Sequence, residues 1–346
     1  VLAVAFGIAV AGTAAPAHAD ETDNFTCRSR LRRDAAAAID ILVNARIERA
    51  IARANARGLR CDHACLARLL REEVGRSSRQ PLTFVPHATL AREIGRAGGI
   101  ERCHLKFGET IYGARPYNQP WLSPFLGRII FVADSMLVSG HVIGLDKIEH
   151  FIREGLEHWR DTSGGMSLAA SIAREQGKDG GRLAWTERGV KGAALTGVFA
   201  YADLAAGYSG HRFWRELLSI EGPDAFVTGG SGTFVLQRRF SISSYVTAAW
   251  DEAVNCSTFH PDLKKEVAAA LAARRQSCPI TDCRQLATLS DASLYVNPQC
   301  QPAASLLPEP DDDDALVLIL GDREIDQPVA ALLRGERRRL FAELLP

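Results

Sequence analysis

The sequence lacks an excess of either charge. Its 346 residues carry 41 Lys and Arg against 41 Asp and Glu, a formal net charge of zero. A general nucleic-acid binder shows a basic surplus, so no nucleic-acid partner is expected. Also missing is an unbroken apolar run of the ~20 residues that a helical membrane span needs. No repeat recurs at a fixed period. Familiar chemical signatures are absent as well: there is no His-Glu-x-x-His, no Gly-x-Gly-x-x-Gly after a strand and no Cys-x-x-Cys-His. Gly229-Gly230-Ser231-Gly232-Thr233 has neither the last glycine of a nucleophile elbow nor the lysine of a phosphate loop. What is there is an ordinary globular balance, 47% hydrophobic and 24% charged. That balance excludes a wholly disordered, collagen-like or polytopic membrane chain.

Residues 1–19 hold no charged side chain and end in Ala17-His18-Ala19, the pattern of a secretory signal peptide with its cleavage site. All eight cysteines lie beyond it, and an even count in an exported chain argues for disulfides. Four precede residue 104 and four follow residue 255; if each group pairs within itself, nine connectivities remain in place of 105. Cys61 and Cys65 stand about one helical turn apart, poor geometry for a direct bond, so each is expected to pair with Cys27 or Cys103. A Cys/His metal clip at Cys61-Asp62-His63-Ala64-Cys65 is disfavoured, because no second ligand pair stands out. The expected location is periplasmic or extracellular.

The periodicity predicts a mainly α, irregular multi-helix domain stapled by disulfides, with few short strands. Ile39, Val43, Ile47, Ala50 and Ala54 mark one amphipathic helix over 33–58, and Leu66, Leu69, Leu70 and Val74 a second one capped by Asp62. Proline density makes 80–124 irregular. Residues 127–144 read as a buried core segment and 146–160 as a helix. The polar 161–181 stretch reads as a possible sub-boundary around one short helical piece. Further helices are expected at 189–207, 210–219, 241–255 and 261–275, and a strand at 233–240. The core domain is then 20–300, with 301–346 a tail: an acidic run at 311–314, which reads as a solvated linker, and a basic, Leu-containing helix at 329–345 suited to a membrane-surface or envelope contact. Basic residues dominate the first helical hairpin, so overall neutrality does not exclude local charged contacts.

The densest ionisable stretch is 146–158. On a helical wheel Leu145, Ile148, Ile152, Leu156 and Trp159 share one side, while Asp146, His150, Glu154, Glu157 and His158 gather opposite. An amphipathic helix with a solvated polar face is the ordinary reading. The sharper one has that face lining a cleft, with His150, Glu154 and His158 as metal-ligand candidates at one-turn spacing. His150 and His158 are ~12 Å apart along the axis, too far for one ion, so Asp203, His211 or His260 would have to complete the set. Asp146, Glu157, Asp203 and Asp251 are the candidate catalytic carboxylates, since paired carboxylates suit sugar hydrolysis. No cofactor is required by the sequence; a divalent metal is compatible with it.

The string Asp146-Lys147-x-x-His150-Phe151 resembles the Asp-Lys-x-x-His-Phe signature of VanZ-like proteins and of some small bacterial lipoproteins. Tyr201-Ala202-Asp203-Leu204 and Ala249-Trp250-Asp251-Glu252 are similar to strings in an uncharacterised group of exported bacterial proteins. That likeness would span roughly residues 25 to 300 and implies no activity. The resulting expectation is an exported bacterial protein with a structural or binding role. The alternative is an envelope-polymer hydrolase, metal-dependent or not, using the 146–158 face.

Overall fold

The computed structural model describes residues 21–80, 83–113, 132–177 and 197–301. The chain divides into two compact units, Val1–Leu306 and Leu307–Pro346, and the described residues belong to the first. The expected leader, the acidic run and the terminal helix lie outside the described residues.

The two N-terminal helices form as their apolar spacing predicts. α1 (Ala36–Asn55) buries Ile39, Val43, Ile47, Ala50 and Ala54, and α2 (His63–Val74) buries Leu66, Leu69, Leu70 and Val74 against it. The Asp62 carboxylate starts α2 by accepting from the Cys65 backbone N–H at 2.9 Å. The region expected to be irregular holds regular structure: a hairpin of β2 (Ser77–Gln80) and β3 (Thr83–Ala88), then α3 (Thr89–Arg96). Residues 114–131, which carry most of the prolines of that stretch, are outside the described residues.

All four disulfides stay within the two groups: Cys27–Cys103, Cys61–Cys65, Cys256–Cys278 and Cys283–Cys300. The expectation that Cys61 and Cys65 would each pair elsewhere is wrong. Cys61 is not on the helix. It sits in extended backbone before the Asp62 cap, and its Cα lies 5.1 Å from that of Cys65.

Residues 132–144 are strands. β4 (Val132–Ala133) pairs in parallel with β1 (Glu21–Thr22), and β5 (Ser135–Val138) forms a hairpin with β6 (His141–Gly144). Ser139 and Gly140 both have positive φ, which suits a two-residue turn between twisted strands. β6 runs straight into α4 (Leu145–Ser163). α5 (Leu168–Glu175) follows within the possible sub-boundary and packs on α4.

The central pair is α4 with α6 (Tyr201–Leu218). The sequence suggested two helices here, divided at Gly207 and Gly210; instead one helix runs through both glycines. Their lack of a side chain serves packing and not termination. A Cβ on Gly210 would stand 2.0 Å from the Phe151 carbonyl oxygen, and one on Gly155 would stand 2.5 Å from the Gly210 Cα. Trp214 then donates its indole N–H to the Ile152 carbonyl at 2.8 Å, and Phe151, Phe213, Phe226, Phe240, Tyr245 and Trp250 pack around the crossing.

β7 (Val198–Phe199) pairs with β10 (Thr258–Phe259), and β8 (Val227–Thr228) with β9 (Val235–Leu236), all short. The expected helix over 241–255 is replaced by two 3-10 turns, Ile242–Ser244 and Ala248–Trp250. Short polar side chains take the backbone groups a helix would use: Thr247 Oγ1 accepts from the Ala249 N–H, and Asp251 Oδ1 from the Ala253 N–H. The expected helix near 261–275 forms as α7 (Pro261–Ala273), with proline in its first turn.

Candidate functional site

The side chain that organises the polar interior is Lys147, whose exposure is 0%. Removing an ammonium from water costs several kcal/mol, which only close anionic partners can offset. Three carboxylates supply them. Asp146 Oδ2 lies 2.6 Å from Lys147 Nζ, and Asp203 and Glu252 each make a direct ion pair with the same atom. Burial alone would push the Lys147 ammonium down, but Asp146, Asp203 and Glu252 together hold it well above the ordinary lysine value. Burial raises Glu252 to about 7 although Lys147 opposes it.

Each carboxylate arrives from a different piece of the fold. Asp146 is in the first turn of α4 and Asp203 in the first turn of α6, where the helix dipole favours a negative charge. Glu252 follows the 3-10 turn at Ala248–Trp250. Thr22, from β1, donates its hydroxyl to Asp146 Oδ1 at 2.6 Å. That contact needs Gly144: a Cβ there would lie 1.9 Å from Thr22 Oγ1 and 2.0 Å from Asp146 Oδ1. Asp146, Lys147, Asp203 and Glu252 therefore meet, and they come from three strings that stand far apart in the sequence.

A second group continues along α4. His150 Nε2 lies 3.2 Å from Asp203 Oδ2. In the neutral ring with that nitrogen donating to Asp203, Nδ1 would carry its lone pair on the opposite side; in the imidazolium it would carry a second proton. Nδ1 faces Glu154 Oε2 at 3.6 Å and Glu175 Oε1 at 4.0 Å. One donor atom from each of His150, Glu154 and Glu175 lies within 4.8 Å of the others, and all three residues are largely buried. Arg153 engages the other oxygen of Glu154 and stands 3.5 Å from Glu149.

His158 does not join that group. Its Nε2 is 2.7 Å from Glu175 Oε2 and its Nδ1 2.7 Å from Ser171 Oγ. Ser171 spends its one proton on Asp161 Oδ2, at 2.5 Å, so its oxygen is left to accept from His158. Both ring nitrogens then donate, which makes His158 an imidazolium with no lone pair for a metal. Its pKa is raised accordingly: burial opposes the charge, but the Glu175 carboxylate and its hydrogen bond outweigh it.

The remaining candidates are placed apart. Glu157, three residues beyond Glu154 on α4, is exposed. Asp251 is buried and bound to Arg28; burial raises its pKa while Arg28 pulls against it. His211 accepts or donates to Thr162 Oγ1 at 3.0 Å, and burial lowers its pKa to about 4. His260 stands immediately before α7. Among the described residues only two groups have the spacing to hold a metal, His150/Glu154/Glu175 and Asp146/Asp203/Glu252, and the second already encloses Lys147. Lys147, Glu175 and Glu252 are the members that sequence reasoning missed. Lys147 and Glu252 lay inside quoted motifs, and their acid–base complementarity was the available signal. Glu175 carried none.

No protein-family model, curated protein or solved structure matches this chain. No helix among the described residues is long and apolar enough to cross a membrane, and with four disulfides this is compatible with an exported protein.

Proposed function

We propose that the chain is an exported bacterial envelope protein with a binding or structural role, holding a divalent cation at His150, Glu154 and Glu175. The observation that carries this is the approach of His150 Nδ1 to two carboxylate oxygens, at 3.6 and 4.0 Å. A ring with carboxylates on both sides needs positive charge there, from a second ring proton or from a cation between Nδ1 and the two glutamates; separations of 3.6 and 4.0 Å are longer than a normal hydrogen bond and favour the cation. Ligands on one ion with bonds of ~2.1 Å are separated by about 3.0–4.2 Å, which covers both distances. Asp203 would act as the outer carboxylate that fixes the ring and its tautomer, and Lys147 would fix Asp203 in turn. One imidazole and two carboxylates suit Zn²⁺, Mn²⁺ or Fe²⁺ better than Ca²⁺. The resemblance to Asp-Lys-x-x-His-Phe proteins gains a physical content under this reading: Asp and Lys build the ion cage, and His150 stands one turn on.

Burial favours binding over turnover. Asp146 and Asp203, two of the carboxylates that a hydrolase would use, embrace Lys147 and do not flank open space. The hydrolase reading keeps one observation in its favour, a Glu252 carboxyl with a pKa of about 7, the value of an effective acid–base group. Elemental analysis and thermal melting with added Zn²⁺ or Mn²⁺ test the proposal. Wild-type protein should hold about one equivalent and melt higher with metal, and His150→Ala should lose both. No metal and no shift in either protein would remove it. Turnover of cell-wall polymer abolished by Glu252→Gln in a folded protein would favour the hydrolase.

A further inference from the structure

A second charged region lies on the opposite side of α4. Eight arginines and three glutamates, with Thr89, line a cavity of about 810 Å³ bounded by α1, α2, α3 and the end of α4. The lining has a formal surplus of five positive charges in a chain whose net charge is zero. Every cation in it is arginine. The volume is that of a small-molecule site, ~300–1,000 Å³.

The wall is built before any ligand arrives. Glu73 Oε1 accepts from Arg53 at 2.5 Å, and its Oε2 lies 3.3 Å from Arg49. Arg46 is tied to Glu93 and also donates to the Glu73 carbonyl at 2.5 Å. Arg71 lies over the Trp159 ring, 5.7 Å from its centre, and donates to the Ala67 carbonyl. These contacts hold part of the basic lining at fixed positions. Arg68, Arg76 and Arg160 are different: all three are exposed, and their side chains make no hydrogen bond or ion pair with the described residues. Arg160 follows His158 by two residues, about 200° around α4, so the cavity and the histidine–carboxylate group face different ways.

We propose that this cavity binds a multiply charged phosphate ligand, a pyrophosphate or polyphosphate group either free or on a lipid headgroup. A planar guanidinium presents paired donors that match phosphate oxygens, and arginine keeps its charge at any physiological pH. A single carboxylate would offset one charge of five; linked phosphates offset several within one cavity. Arg68, Arg76 and Arg160 are the arginines left to engage the ligand. The proposal does not rest on the metal reading of His150.

Titration calorimetry of the full chain with sodium tripolyphosphate at low salt tests it, beside Arg68→Ala/Arg160→Ala and Arg68→Lys/Arg160→Lys. The expected result is one-site binding that weakens with salt and falls at least ~10-fold in the alanine variant, with the lysine variant between. No binding at millimolar tripolyphosphate, or equal affinity in the alanine variant, overturns the proposal. Sedimentation with phosphatidylcholine vesicles, with and without a polyprenyl pyrophosphate, separates the sources: co-sedimentation with the pyrophosphate lipid that tripolyphosphate displaces identifies the headgroup, and its absence identifies a free ligand. Tighter binding of a short DNA duplex than of tripolyphosphate would overturn the small-ligand assignment.

Discussion

Two concentrations of charge among the described residues are built in opposite ways. Around Lys147 three carboxylates from separate elements close on an ammonium with no exposure. In the arginine-lined cavity the charges are of one sign in excess, and Arg68, Arg76 and Arg160 stand in solvent. Buried charge is tolerated only when each group has a partner, so the Lys147 cage is part of the fold. Solvated charge needs no partner, so the cavity can keep a surplus for something outside the chain. A substitution in the first region should register in stability, and one in the second in binding.

Lys147→Met breaks the comparison most severely. It leaves three buried carboxylates without their cation and should cost about 3–5 kcal/mol, or prevent folding. Urea denaturation reads this, and adding Glu252→Gln to the variant should restore part of the loss by removing one stranded charge. A cost below about 1 kcal/mol would mean that the cage is not structural.

Next comes the crossing that brings the two helix starts to Lys147. Gly210→Ala places a methyl group against the Phe151 carbonyl and should cost about 1–3 kcal/mol, seen as a lower urea midpoint. An equal effect at Gly108, where a Cβ meets nothing within 4 Å, would sever the link between close packing and the cage.

A smaller effect concerns pH. His211 titrates at about 4 in the folded chain against an ordinary 6.5. Between those values the unfolded chain binds the extra proton, so this residue makes stability fall as pH drops from 6.5 towards 4. His211→Asn should remove about 1–2 kcal/mol of that dependence, once solvent screening is allowed for. Glu252 and His158, both raised, act in the opposite sense, so the comparison is between variant and wild type at each pH. Identical pH profiles would contradict the burial of His211. Smallest of all should be Arg68→Ala and Arg160→Ala, each within about 0.5 kcal/mol of wild-type stability. A larger loss would show that these arginines have a structural role.

The helical class and the grouping of disulfides were legible because apolar periodicity and cysteine count are local signals. Ile39 to Ala54 announced α1, and Asp62 announced the start of α2. Gly207 and Gly210 misled, since a glycine that ends a helix and one that admits a neighbouring backbone look alike in sequence. Ser241 to Asn255 misled for another reason: apolar spacing suited a helix, while Thr247 and Asp251 captured the backbone groups locally. At the site, Asp203, His211 and His260 were equally open as companions of His150 and Glu154, and His150 lies against Glu154 and Asp203. The central member was overlooked because a lysine beside an aspartate reads as surface charge until the fold encloses it. Glu175 reaches the group through α5, which no pattern in the sequence ties to α4.

The central claim is that His150, Glu154 and Glu175 face a common cation beside the Lys147 cage. Anomalous diffraction from crystals soaked in Mn²⁺ tests it most directly. The account predicts one strong peak at about 2.0–2.3 Å from His150 Nδ1 and from an oxygen of each glutamate. A peak elsewhere, or none there with His150 hydrogen-bonded directly to a glutamate, would contradict it.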